Sequence, residues 1–222
     1  MFSHTFVVLA YKKSEHLEAS LQSRINQRES SKILISTSTP SQWLDRIALQ
    51  YDIPVIVNSS ELGIANDWNF ALASADSEYV TLAHQDDVFH ADYAKALKAA
   101  AERYPDNSII FSDYAELIDY KVRKINLNLL IKRLLLLPMY LHPGFKHHWS
   151  KQMILSFGNP VCCPAVTYHK SLIPKFRFNT SFSINLDWDA WFRIADMQGT
   201  FVYLRRILFF IAYIIFRRLV MA

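Results

Sequence analysis

Short apolar runs alternate along the chain with stretches in which apolar residues recur every third or fourth position, and that alternation predicts strands separated by helices. Residues 5–10 read as a first buried strand. Leu17, Leu21 and Ile25 then fall at helical spacing, with Ser14 as the expected N-cap and Glu15 and Glu18 in the first turn. A second strand is predicted over 32–35, broken by the polar run 36–40. A helix capped by Ser41 follows, through Trp43, Leu44, Ile47 and Ala48, and then a peripheral strand over 53–57. A loop at 58–63 leads to a helix over 66–75, a strand over 79–83, an alanine-rich helix over 91–104 and a strand over 108–111. Such an order implies βαβ units and an α/β fold: a Rossmann-type, mainly parallel sheet flanked by helices, in a single domain.

The pattern changes after about residue 120. Residues 129–137 are apolar and basic, Pro138 breaks the run, and 143–149 hold a Pro-Gly turn and the pair His147 and His148 beside Trp149. This stretch reads as helical or irregular cover. A strand is expected again over 161–168, and a helix over 187–197 with Trp188, Trp191 and Phe192 on its apolar side. Residues 207–216 are apolar but too short to span a bilayer, and fit either a core strand or an in-plane amphipathic anchor.

The chemistry concentrates where the strand over 79–83 stops at His84, Gln85, Asp86 and Asp87. In open α/β sheets ligands bind beyond the carboxyl ends of strands. Two adjacent carboxylates repel unless a cation or a donor relieves them, and hard oxygen ligands suit Mg²⁺ or Mn²⁺ bridging to a substrate's phosphates. The plain alternative is a surface turn, where aspartate is common.

Composition narrows the field without changing this picture. Of 222 residues 51% are hydrophobic and 20% charged, so the chain buries a substantial core and is not a disordered tail. Its net charge of +4 is modest, and the basic residues at 121–133, 205–206 and 217–218 are interleaved with Leu, Ile and Phe. That mixture suits an anionic membrane surface, or two helices with cationic outer faces, and argues against a nucleic-acid partner. Cys162 and Cys163 are adjacent, lack zinc-site spacing, and read as packing residues in a reducing compartment. The amino terminus shows no secretory pattern, so a cytoplasmic location is expected, with peripheral contact at the inner face of the plasma membrane. The four glycines stand apart, which excludes a P-loop or a dinucleotide fingerprint.

Several ordered segments resemble the inverting glycosyltransferases of family 2, with the GT-A fold. Residues 7–11, with Ala10 and Tyr11, followed by the helix ending Arg24-Ile25-Asn26-Gln27, are similar to that family's first strand, nucleotide-contacting turn and first helix. Residues 58–69, with Gly63, Asn66 and Asp67, look like its glycine loop and following helix. His84-Gln85-Asp86-Asp87 falls on its Asp-X-Asp-type metal site, and residues 186–193 resemble the segment carrying its catalytic base. The resemblance implies a nucleotide-sugar donor contacted by Ala10, Tyr11, Ser36, Asn66, Asp67, His84, Gln85 and Asp86. It implies Mg²⁺ or Mn²⁺ on Asp86 and Asp87, and Asp187 as the base that deprotonates a saccharide or lipid-linked saccharide acceptor in bacterial surface polysaccharide synthesis. Residues 1–204 are expected to form the family domain, with 1–115 binding the donor and 116–204 the acceptor, followed by an apolar and basic segment over 205–222.

The chain departs from the family's pattern at four places. Hydroxyls at Ser36-Thr37-Ser38 stand where an acid usually contacts the base, His84 replaces the first acid of the metal motif, and Trp68 sits where Arg is common. After Leu204 the sequence leaves the pattern, as expected of a truncated or altered end. Two other readings stay open: a nucleotidyltransferase, for which Tyr11-Lys12-Lys13-Ser14 is a poor basic loop, and an inactive nucleotide-binding or membrane-associated fragment.

Overall fold

A computed structural model describes residues 2–60, 62–118, 121–182 and 184–213. The expected alternation is present: β1 (His4–Ala10), α1 (Leu17–Ile25), β2 (Lys32–Thr37), α2 (Gln42–Gln50), β3 (Val55–Val57), α3 (Ile64–Ser74), β4 (Tyr79–His84), β5 (Val88–Phe89), α4 (Tyr93–Arg103) and β6 (Asn107–Ile118). The cover that follows comprises β7 (Lys121–Arg123), α5 (Leu127–Leu135), α6 (Leu137–Leu141), β8 (Gly144–Phe145) and α7 (His148–Leu155). β9 (Val166–His169), α8 (Leu186–Ala195) and β10 (Thr200–Tyr213) complete the chain as described.

One sheet runs in the order β3-β2-β1-β4-β9-β6-β10-β5, with β7 added to β6 and β8 to β10. The four strands from β3 to β4 are parallel, as βαβ connections require, whereas β9 runs antiparallel between β4 and β6 and makes the whole sheet mixed. Alternate residues of the central strands feed cores on the two faces. Val7, Ile109, Phe111, Phe201 and Tyr203 pack with α3 and α8, while Phe6, Ile110 and Val202 pack with α4. A third core joins α1 and α2 to β1 and β2 through Val8, Leu21, Ile35 and Ile47. Burial on both faces explains why these strands read as nearly unbroken apolar runs.

Local details differ from the sequence pattern for physical reasons. Ser41 caps α2, its side chain accepting from the Leu44 N–H, but α1 begins at Leu17 and Ser14 only accepts from the His16 N–H at 3.3 Å. β2 continues through Ser36 and Thr37, both buried, because its pairing with β1 holds polar residues in the strand. β9 starts only at Val166, since Pro164 sits in a 3-10 turn, Cys163–Ala165. β10 runs through position 204 and pairs with β6 and β5, so Ile207 to Tyr213 are sheet, with bulges near Arg205 and Arg206. Residues 214–222, with Arg217 and Arg218, lie outside the described residues.

A buried polar chain ties the sheet together from Ser31 through His4, Thr81 and Thr167 to Tyr93, each link 2.6–3.2 Å. Burial pushes the His4 ring down from its ordinary 6.5 to about 3, so it folds neutral. The neutral ring contributes stability that is present in full above about pH 6.5 and is lost as pH falls from there toward about 3. In urea denaturation the wild type should lose stability relative to His4→Gln by about 1.4 kcal/mol per pH unit between about pH 6 and about pH 4. Parallel pH curves for the two proteins would contradict this.

Candidate functional site

The carboxyl ends of β1, β2 and β4 open into a cavity of about 580 Å³ bounded on the far side by the loop before α3 and by its first turns. Its lining includes Ala10, Tyr11, Ser36, Asp67, His84, Gln85 and Asp86. Seven of the residues selected from sequence are thus brought together. Asn66 is not in the lining; its side chain bonds back to the Leu62 carbonyl at 3.4 Å, closing the loop before α3. Gly63 at that loop's end has φ +132°, a backbone conformation that side-chain-bearing residues avoid.

Each wall is fixed by side chains bonding to backbone. The Gln85 amide accepts from the Tyr11 N–H at 3.1 Å and donates to the Tyr11 carbonyl at 2.9 Å, which locks the end of β4 to the end of β1. Tyr11 itself is 56% exposed and leaves an aromatic face at the mouth. Opposite, the Asp67 carboxylate accepts from the Ser38 hydroxyl at 2.9 Å and the Asn58 amide at 2.7 Å. A carboxylate on α3 therefore borders the hydroxyl row at the end of β2. The Trp68 ring lies 5.8 Å from that of His84 and 5.0 Å from that of Phe178, a wall and not a charge.

The two acids of the turn after β4 have different surroundings. Asp86 lines the cavity. Asp87 is buried, its carboxylate accepting from the Ala212 N–H of β10 at 3.2 Å and lying 3.7 Å from His84 Nδ1. Burial, then the charge of Asp86, pushes the Asp87 carboxyl up to about 7, against the pull of the Ala212 N–H and Arg24. Burial lowers His84, the Asp86 carboxylate acts in the opposite sense, Arg24 adds to the lowering, and Asp187 opposes it. The His84 Nε2 is buried without a hydrogen-bond partner.

Ligand atoms of His84, Asp86 and Asp87 lie within 4.8 Å of one another, the metal-fitting group found among the described residues. An orphaned imidazole nitrogen, a neutral ring and crowded carboxylates all fit a divalent cation. His147 and His148 form no such group: both are exposed, and His148 pairs with Asp196 at 3.0 Å. Cys162 and Cys163 are free thiols whose pKa values burial raises, which suits packing and not nucleophilic attack.

Asp187 opens α8, after Asn185 in the left-handed region at φ 54°. One of its oxygens accepts from the Trp188 N–H at 2.9 Å and the other from the Asn159 amide at 2.7 Å, so the half-buried carboxylate has a set direction. Asp189 instead pairs with Arg193 at 3.5 Å one turn along the helix. Asp87 and Asp187 do not line the cavity itself.

Two further residues received no role in the sequence reading. Arg24, 1% exposed, donates to the His84 carbonyl at 2.8 Å and the Asp87 carbonyl at 3.4 Å, bonds Ser20, and stacks 4.8 Å from the Phe89 ring. Burial draws its pKa down to about 10, with Asp87 and Asp86 opposing, so it stays charged. Asn159 follows a glycine and precedes a proline, a turn signal that says nothing of its partner.

Known proteins resemble the chain in sequence and in fold. A sequence model described as glycosyl transferase family 2 matches residues 5–157. The chain superposes on the crystal structure of Staphylococcus aureus TarS 1–349 with TM-score 0.72 at 12% identity, covering 95% of this chain and 60% of that one. TarS 1–349 in complex with UDP-GlcNAc gives 0.71 at 13% identity, covering 96% and 59%. The mannosyltransferase PcManGT from Pyrobaculum calidifontis, in complex with GDP-Man and Mn²⁺, gives 0.60 at 13% identity, covering 93% and 56%. At such identities the likeness carries the fold alone, and the chain spans about 60% of the TarS 1–349 structure. No curated protein matches.

The site's geometry separates structural from functional charges. Arg24→Met strands buried carbonyls and should cost about 3 kcal/mol or more in urea unfolding. Asp86→Asn removes a repulsion and should change stability by no more than about 0.5 kcal/mol, or raise it. Wild-type stability in Arg24→Met would contradict the role given to that residue.

Proposed function

The chain belongs to glycosyl transferase family 2, and from that premise we propose that it moves a sugar from a nucleoside diphosphate to an acceptor hydroxyl with inversion at the anomeric carbon. The observation that carries this reading is the convergence of Ala10, Tyr11, Ser36, Asp67, Gln85 and Asp86 on one cavity at the strands' carboxyl ends. Family membership leaves the nucleotidyltransferase alternative without support.

The donor half reads from the cavity outward. Tyr11 offers a ring to stack on the base, and the hydroxyls of Ser36 to Thr39 together with Asp67 offer hydrogen bonds to its edge and ribose. Asp67 makes up for the acid missing after β2, because a carboxylate accepts and so selects a base edge that donates. His84, Asp86 and Asp87 would hold Mn²⁺ or Mg²⁺ against the diphosphate, where a cation neutralises the charge that the departing group gains. Asp86 is the ligand that faces the donor, and Asp87 anchors the set to β10.

The acceptor half supplies the proton acceptor. Asp187, aimed by Asn159 and the Trp188 N–H, takes the proton of the acceptor hydroxyl as its oxygen attacks the anomeric carbon from the face opposite the diphosphate. The new C–O bond forms as the bond to the diphosphate breaks, and the bonding pair leaves with the diphosphate. The acceptor is a saccharide or lipid-linked saccharide in bacterial surface polysaccharide synthesis, reached at the cytoplasmic face of the membrane. No helix among the described residues is long and apolar enough to cross a membrane.

Asp187→Asn should lower transfer by roughly 10²–10⁴-fold while donor affinity by calorimetry stays unchanged. Asp86→Asn should instead abolish the Mn²⁺-dependent part of nucleoside diphosphate binding. Full transfer activity in either variant removes that residue from its role.

A further inference from the structure

A helix on the surface of a globular protein normally turns its apolar stripe inward. α5 does the reverse. Leu127, Leu130, Ile131 and Leu134 follow helical spacing on one face and are 75%, 51%, 48% and 67% exposed, and only Leu129 of this helix is buried. Its charged residues point into the protein. Arg133 donates to Asp113 at 2.9 Å, the Lys124 carbonyl at 2.6 Å and the Tyr114 carbonyl at 3.2 Å, and Lys132 lies 5.2 Å from the Tyr114 ring. Asn126 caps the helix by accepting from the Leu129 N–H at 2.7 Å, so the outward face is held in place. α6 continues the surface with Leu137 and Leu141, 53% and 76% exposed.

The rim is cationic. Lys121, Arg123 and Lys124 are exposed just before α5, and Arg205 bonds the Tyr140 carbonyl on α6. From position 121 to position 186 the sequence contains no aspartate or glutamate. A second copy of the chain would set the same cations against one another, whereas anionic lipid headgroups would neutralise them while the leucines enter the acyl boundary. We propose that the α5–α6 face docks the protein on an anionic phospholipid bilayer. The lipid-linked acceptor reading gives the surface its purpose, but vesicle binding is measured without donor or acceptor, so the two fail separately.

The test is co-sedimentation of the full chain with vesicles of phosphatidylcholine alone or mixed with phosphatidylglycerol, at low and high salt. The wild type should sediment with the mixed vesicles, and less so at high salt. Leu130→Glu with Leu134→Glu should weaken binding at least about tenfold with an unchanged circular dichroism spectrum, because both side chains face solvent. Lys121→Gln with Arg123→Gln and Lys124→Gln should weaken it and flatten its salt dependence. If the leucine pair fails to fold, Leu127→Ser with Leu141→Ser carries the same expectation. No sedimentation of the wild type, equal sedimentation of the folded leucine variants, or a solution dimer that those variants dissociate would each overturn the proposal.

Discussion

The floor of the cavity depends on one guanidinium that water does not reach. Arg24 lies on the last turn of α1, and its bonds to the His84 and Asp87 carbonyls hold the turn that follows β4. A buried charge needs partners, and Arg24 finds carbonyl oxygens on one side and the Phe89 ring on the other. The Arg24 charge opposes the burial and the mutual repulsion that raise Asp87. Burying Arg24 costs solvation, and the ordered turn is what that cost sustains.

The same logic distributes work between the two acids. The Ala212 N–H bonds Asp87, so the last strand of the sheet reaches back to the metal-fitting turn. β10 is therefore part of the site's frame, although its sequence suggests an appended apolar and basic segment. Asp86 keeps its carboxylate toward the cavity, and His84 offers a neutral nitrogen beside it. Asp187 is held by milder means: one amide from Asn159 and one backbone N–H.

The first half of the fold was legible because its central strands are buried on both faces and its helices keep a regular apolar spacing. β1, β4 and the polar stop at His84 follow directly from the apolar runs, as does the Ser41 cap. The second half was not. β6 continues past Phe111 through Ser112, Asp113 and Glu116, which are buried by β10 and β7, so a polar run in sequence is a strand in space. β9 joins the sheet antiparallel between strands far from it in the chain, a pairing that no local period announces. Arg24 stands in the sequence only as part of a helix end, and only tertiary contact shows it buried. α5 misleads in the opposite way: its apolar spacing is plain, but spacing alone does not say which face meets solvent.

The central claim is that the turn organised by Arg24 seats a cation and a diphosphate in the cavity. Anomalous diffraction at the manganese edge, from crystals grown with Mn²⁺ and a nucleoside diphosphate, tests it most directly. The account predicts a peak in contact with the Asp86 carboxylate and a diphosphate oxygen, with the base beside Tyr11 and Asp67. A manganese peak away from His84, Asp86 and Asp87, or a nucleotide bound outside this cavity, would contradict it.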